Sequence, residues 1–373
     1  MKNNLGNKKP ITVAFCGGHH TSSLPIIDDI LLNSNFRVIF IGRKKTFKDD
    51  KNDSLEYLDI SKRNIKFYDL KTSKFFKSNF FSLFKIILGF FHSFFILVKE
   101  DVRLVVSFGG YIAVPVVLAA FILRKKIITH EQTVVHGLGN KFISYFADRV
   151  LLTWPSSLKF FDKKKSLVIG LPLRKSFFDL SRNLFPIKNK LPTIFITCGK
   201  TGSHIINEFI LNNLEFLLKH FNLIHQSGDY SVTNDYLKLE KKFDEIKSEV
   251  KGQYYLYKFM DEDQVNSAFK TCDFLISRSG AHTIYEILHF NKKAIMIPIP
   301  WVSQNEQYLN AKLVFDAGLG LILEESDLNL DNFKVYVKKI LSKEFSLKDA
   351  KIKEIISLKA TQKFVNEIKD LVF

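Results

Sequence analysis

The sequence predicts an α/β chain made of two Rossmann-like halves. Short apolar runs alternate with helical stretches, which is the pattern of parallel βαβ units. Each half opens on a strand, a glycine turn and a helix, first at "ITVAFCGG" (11–18) and again at "TIFITCG" (193–199). The length of 373 residues, 46% of them hydrophobic, suits two domains with sizeable cores.

In the first half, strands are expected at "ITVAFCGG", "FRVIFIG" (36–42), "VRLVVSFGG" (102–110), "KKIITHEQ" (125–132), "ADRVLLTWP" (147–155) and "SLVIGLP" (166–172). The stretch 180–192, with two prolines and no periodicity, reads as a linker. After it, "HIINEFILNNLEFLLKHF" (204–221) reads as one amphipathic helix. Strands follow at "NLIHQSG", "QYYLYKF", "CDFLISRSG" and "KKAIMIPIP". The expected division is 1–180, a linker at 181–192, a second domain at 193–345, and a helical tail at 346–373 that packs back toward the first domain.

The formal net charge of +17 points to nucleic acid, an anionic membrane or acidic small molecules, or to lysines scattered over solvated faces. The three cysteines have no metal-like spacing and fit a reducing compartment. The first residues contain no apolar signal region and run straight into a strand. The Phe-rich stretch 75–98 approaches membrane-spanning length, but Lys77, Lys85 and His92 interrupt it. It reads as an amphipathic helix, or two, set either against a core or on a membrane surface.

Ligands of open parallel sheets bind beyond the carboxyl ends of the strands. The residues there are the candidates. Gly17 and Gly18 allow close backbone approach, and His19 and His20 follow them; a histidine in such a loop can take a proton near neutral pH or simply pack the turn. The third strand ends at Gly109-Gly110-Tyr111. The fourth ends at His130-Glu131-Gln132, an exposed polar trio that packing does not explain, with Asn140 and Lys141 on the next helix. In the second half, Ser279, Gly280, Ala281, His282 and Thr283 mark a helix start suited to a diphosphate, and Glu286 one turn on could take both hydroxyls of a ribose. Gln304 to Gln307 and Asn310 offer amides and a carboxylate to sugar hydroxyls, or an ordinary helix start capped by Ser303.

The stretch Gly199-Lys200-Thr201 mimics a phosphate-binding P-loop. A P-loop needs a glycine five residues before Gly199, and that position is Ile194, inside a strand.

Taken together, "GGYIAVP", "HEQ" with "GLGNK", "GLPLR" (170–174), "HQSG", "RSGAHTIYE" and "EQYLNA" resemble the MurG family of N-acetylglucosaminyltransferases, in order and spacing over nearly the whole chain. The resemblance implies a GT-B fold, with two Rossmann-like domains facing across a cleft. It implies an inverting, metal-independent transferase on the cytoplasmic membrane face, moving N-acetylglucosamine from UDP to the muramoyl 4-hydroxyl of a polyprenyl-diphosphate-linked acceptor. No cofactor and no nucleic acid are implied. His19 would be the base, with Glu131 assisting or binding acceptor. Gly17, Gly18, Tyr111, Gln132, Asn140 and Arg174 would line the acceptor side. Gly199, Lys200, Gly202, Ser227, Arg278, Ser279, Gly280, Ala281, His282, Thr283, Glu286, Gln307 and Asn310 would hold the UDP-sugar. The 75–98 stretch would meet an anionic membrane.

The chain departs from the family pattern in places. A first loop shortened by three residues puts His19 at the family's histidine position, whereas an ungapped pairing puts Ser22 there. "HEQT" replaces "HEQN", "GLPLR" replaces "GNPVR", the second glycine loop reads Cys-Gly-Lys-Thr-Gly-Ser, and Glu306 stands where Gln or His is usual. A related transferase with another lipid-linked acceptor and a non-catalytic nucleotide-sugar-binding scaffold are the alternatives.

Overall fold

The computed structural model describes residues 9–18, 20–45, 53–72, 80–173, 183–199, 202–230, 232–342, 356 and 359–373, with backbone alone at 80–84 and 303. The chain divides into two compact units, Met1–Arg174 with Ser357–Phe373, and Lys175–Ile356.

The first unit carries a seven-stranded sheet of β1 (Ile11–Cys16), β2 (Phe36–Gly42), β3 (Lys66–Asp69), β4 (Val102–Ser107), β5 (Lys126–Glu131), β6 (Arg149–Leu152) and β7 (Ser166–Val168). Its order is β3-β2-β1-β4-β5-β6-β7, and every pair is parallel. The strand order reverses at the β1/β4 junction, which in this architecture is where ligands bind.

Residues alternate sides along each strand. Ala14 and Cys16 of β1 join a core beneath α3 (Phe80–Lys99), α4 (Gly110–Ile122) and α5 (Leu138–Ser144). Val13 and Phe15 join the opposite core with α1 (His20–Leu31). α2 (Leu55–Ser61) leads into β3 and is capped by Ser54, whose side chain accepts from Tyr57 N–H.

The last helix, here α13 (Ala360–Val372), belongs to the first unit. Phe364, Val365 and Ile368 enter the α1 core, and Phe364 stacks on Phe108 with ring centroids 5.8 Å apart. Thr361 Oγ1 donates to Leu173 O at 3.1 Å, and Arg149 meets Glu367 at 3.2 Å. Of the tail expected at 346–373, residues 346–355, 357 and 358 lie outside the described residues.

The second unit repeats the plan. Its strands are β8 (Thr193–Thr197), β9 (Asn222–Gln226), β10 (Tyr254–Tyr257), β11 (Phe274–Ser277), β12 (Lys293–Met296) and β13 (Gly320–Ile322), in the parallel order β10-β9-β8-β11-β12-β13. Its helices are α6 (His204–Asn212), α7 (Leu214–His220), α8 (Asp235–Ile246), α9 (Glu262–Thr271), α10 (Ala281–His289), α11 (Glu306–Asp316) and α12 (Leu330–Leu341). Residues 204–221 form two helices instead of the single one expected. Asn213 donates from its side chain to Phe209 O at 2.8 Å and leaves helical geometry. Short amides compete for backbone acceptors in this way.

The Phe-rich stretch forms one helix, α3, from Phe80; residues 75–79 lie outside the described residues. Ile96 and Leu97 are buried, while Phe91 and Phe95 are 52% and 67% exposed. Among the described residues, no helix is long and apolar enough to cross a membrane.

Candidate active site

In the first unit the strand-end loops interlock through glycines. Gly17 has a φ of +122°, and a Cβ there would sit 2.8 Å from the Phe108 backbone and from Gly109 O. Gly18 N–H donates to Gly109 O at 3.1 Å. Gly109, at a φ of +70°, has no room for a Cβ, which would fall 2.7 Å from the Asn140 amide. The loops after β1 and β4 and the start of α5 therefore close on one another at the β1/β4 junction.

Glu131 ends β5 and is buried. Its Oε1 accepts from Thr133 N–H at 3.1 Å and lies 2.9 Å from Thr133 Oγ1; its Oε2 accepts from Gly137 N–H at 2.9 Å and Asn140 Nδ2 at 3.1 Å. Both oxygens are thus engaged by the loop that follows the strand. Asn140 is equally committed. It also donates to His130 O at 3.0 Å and accepts from Thr129 Oγ1 at 2.8 Å. Gln132 Oε1 accepts from the buried Ser22 hydroxyl at 2.9 Å, which ties the start of α1 to the end of β5. His20 turns to Asp59, 3.1 Å away. Tyr111, in the first turn of α4, accepts from Arg43 at 2.5 Å. His19, Arg174 and Lys200 lie outside the described residues.

In the second unit a Cβ on Gly202, at a φ of +71°, would meet Ser227 O at 1.9 Å. Gly199, also at positive φ, faces open space, and its carbonyl accepts from Gln226 Nε2 at 2.7 Å. Ser227 is buried. Behind these loops runs a side-chain network that sequence reasoning missed. Asn207 donates to Ser227 O and to Asp235 Oδ2, each at 2.9 Å. His225 pairs with Asn207 Oδ1 at 3.0 Å and with the Tyr254 hydroxyl at 2.9 Å, and Asp235 also meets His204 at 2.9 Å. Burial pushes His225 down to about 3, so it is neutral at ordinary pH. The available signals were the Asn207 spacing from the turn and a histidine inside an apolar strand.

Among the described residues, buried polar atoms without partners gather at the loop after β11, whereas the described part of the turn after β8 has one, Ser203 Oγ. Gly280 caps α10, and a Cβ there would have nothing within 4 Å, so the helix N-terminus opens outward. Arg278 is buried, donates to Ile297 O at 2.9 Å and pairs with Glu325. Yet Ser277 Oγ, Arg278 Nε, Ser279 Oγ and Asn310 Oδ1 are buried without a hydrogen-bond partner among the described residues. Buried polar atoms rarely stay unpaired unless a ligand or water completes them. Asn310 Nδ2 donates to Ser279 O at 3.0 Å, which brings α11 against this loop.

On α10, Ala281 is buried and His282, Thr283 and Glu286 are half-buried. Burial pushes the Glu286 carboxyl up to about 7. Gln307 is partly spent, since its Oε1 accepts from Ile299 N–H at 3.0 Å. Just before it, Gln304 and Asn305 both adopt left-handed backbone, with φ of 55° and 52°. Two such residues in succession store strain of the kind that clusters at ligand clamps. Among the described residues no group of three or more His, Cys, Asp or Glu could hold a metal ion.

The chain resembles known proteins along most of its length. Residues 17–152 match the glycosyltransferase family 28 N-terminal domain, and residues 193–371 match the family 28 C-terminal domain. The UDP-N-acetylglucosamine--N-acetylmuramyl-(pentapeptide) pyrophosphoryl-undecaprenol N-acetylglucosamine transferase of Clostridium tetani (strain Massachusetts / E88) is 31% identical over 332 residues, covering 87% of this chain and 86% of that protein. The protein of the same name from Sulfurihydrogenibium sp. (strain YO3AOP1) is 31% identical over 270 residues, covering 72% and 73%. Among solved structures, Acinetobacter baumannii MurG superposes with a TM-score of 0.70 over 97% of this chain and 100% of that one, at 22% identity. That likeness fixes the fold as GT-B. The chain belongs to glycosyltransferase family 28 and, within it, to the MurG group of N-acetylglucosamine transferases.

Proposed function

We propose that this chain transfers N-acetylglucosamine from UDP-N-acetylglucosamine to the muramoyl 4-hydroxyl of a polyprenyl-diphosphate-linked acceptor, converting lipid I to lipid II. The observation that carries the donor half is the loop after β11. There an outward-facing helix N-terminus stands beside buried polar atoms that lack partners among the described residues. Backbone N–H groups at Ala281 to Thr283 suit the diphosphate, and the Glu286 carboxylate suits ribose hydroxyls.

In the reaction the acceptor oxygen attacks the anomeric carbon, the bond to the UDP oxygen breaks, and the acceptor proton passes to a base. His19 is assigned that role by its place after Gly17-Gly18. Glu131, already engaged at both oxygens, positions Asn140 and Thr133 instead of taking the proton. Fixed dipoles at the start of α10 meet the charge that develops on UDP, and one such donor is worth about 3 kcal/mol of transition-state stabilisation. No metal is needed for this scheme.

The apolar face of the first unit supports docking to the cytoplasmic membrane surface. Phe91 and Phe95 of α3, Phe121 and Ile122 of α4, Phe142 of α5 and Tyr145 just after it are all exposed. Phe121 and Phe142 both pack on Phe146, at 5.1 and 5.2 Å. Nearby lysines would meet anionic headgroups.

The test is purified protein with UDP-N-acetylglucosamine and lipid I, reading UDP release and lipid II. Product with another lipid-linked acceptor, and none with lipid I, would sink the acceptor assignment.

A further inference from the structure

Arg43 follows the last residue of β2 and is clamped at its backbone. Its N–H donates to Glu56 Oε2 at 2.9 Å, and its carbonyl accepts from Ser54 Oγ at 2.6 Å. Gly42 leaves room for that carboxylate; a Cβ there would lie 2.5 Å from Glu56 Oε2. The side chain then leaves β2, and Nη1 donates to the Tyr111 hydroxyl at 2.5 Å.

In the sheet β2 neighbours β1, and β1 neighbours β4, which feeds α4. A side chain that starts at the end of β2 and touches the first turn of α4 crosses the carboxyl end of β1. That is the β1/β4 junction, where the Gly17-Gly18 loop lies. Arg43 is half-buried, and among the described residues its guanidinium makes that one hydrogen bond and no carboxylate ion pair. A guanidinium has five donors in a rigid fork, so most of them are left without a hydrogen-bond partner among the described residues.

We propose that Arg43 is an anion-binding residue of the first unit, held by Glu56 and Tyr111 to take phosphate oxygens of the acceptor's diphosphate. The planar fork matches two phosphate oxygens at once, which a lysine does not. The proposal rests on the reading that the first unit binds a lipid-linked diphosphate, and its test needs no sugar transfer.

The full chain is titrated calorimetrically with farnesyl diphosphate, farnesol, inorganic pyrophosphate and UDP. Arg43→Ala weakens farnesyl diphosphate binding about tenfold or more, as loss of a charge-assisted phosphate contact should. Arg43→Gln, which keeps the length and a donor for Tyr111, loses nearly as much, and Arg43→Lys recovers part of it. Farnesol and UDP bind all variants alike, and a parallel loss of pyrophosphate binding assigns the effect to the phosphates. Equal farnesyl diphosphate affinity in wild type and both neutral variants would overturn the proposal. So would an equal loss for farnesol, or no farnesyl diphosphate binding by wild type. If lipid I is not a substrate but binding of farnesyl diphosphate still depends on Arg43, the acceptor assignment falls and the Arg43 site stands.

Discussion

Gly202 and Ser227 approach so closely that a single methyl group on Gly202 would sit 1.9 Å from the Ser227 carbonyl oxygen. The turn after β8 and the loop after β9 are thus built as one piece, pinned from behind by Asn207. Gly202→Ala must break that contact and also adopt a backbone conformation unfavourable to alanine. It should cost about 3 kcal/mol or more and abolish UDP binding. Denaturant melts with UDP calorimetry read both; a stable variant with unchanged UDP affinity would refute the interlock.

Glu286 sets a pH dependence whose sign follows from its raised carboxyl, at about 7 against an ordinary 4.5. Between those values the folded protein holds a proton that the unfolded chain has lost, so stability falls as pH rises through this window. The full effect is up to about 3 kcal/mol. Glu286→Gln should therefore be more stable than wild type at pH 8 and equal to it at pH 4. Donor binding runs the other way, because the carboxylate is the better acceptor for ribose hydroxyls. Wild-type affinity for UDP should drop as pH falls below 7, and the variant should be weak and flat. Urea melts and UDP titrations across pH 4 to 8 decide it.

Glu131 is a clamp in this geometry. Glu131→Gln replaces one acceptor oxygen with a donor that faces N–H groups, so two of the loop's hydrogen bonds are lost. The expected cost is about 2 kcal/mol of stability, with a lower kcat and an unshifted pH–rate profile. A displaced profile with full stability would restore Glu131 as a participant in proton transfer.

Phe91 and Phe95 are exposed on α3, so their replacement by serine should change stability by less than about 0.5 kcal/mol per site. Sedimentation with vesicles containing phosphatidylglycerol should fall severalfold, while UDP binding is unchanged. Full vesicle binding by the double variant would remove α3 from the docking surface.

The fold class was legible because strand, glycine turn and helix recur with regular spacing, and "ITVAFCGG" and "TIFITCG" do open two parallel sheets that share a six-strand order, with β7 added to the first. The glycine turns also pointed to the strand ends where the loops interlock. What stayed hidden depends on partners distant in sequence. Arg43 and Glu56 look like ordinary surface charges until β2 and α2 bring them together. Asn207 keeps its spacing from the glycine turn, but nothing in the sequence joins it to His225, Asp235 and Tyr254. Glu131 drew attention as a polar residue after a buried strand, and periodicity could not show that its own loop would satisfy both oxygens. The break at Asn213 was missed because apolar periodicity continues across it.

The placement of Phe364 in the first core has a consequence for synthesis on the ribosome. The pocket between Phe108 and α1 is filled by a helix translated long after the last strand of its own sheet. The second unit holds all its strands and core within one continuous span and is free to mature as soon as that span emerges. The first unit must wait with an apolar slot exposed until α13 is translated. A nascent chain stalled before residue 360 should bind a chaperone through its amino-terminal sheet, and release should coincide with docking of the final helix.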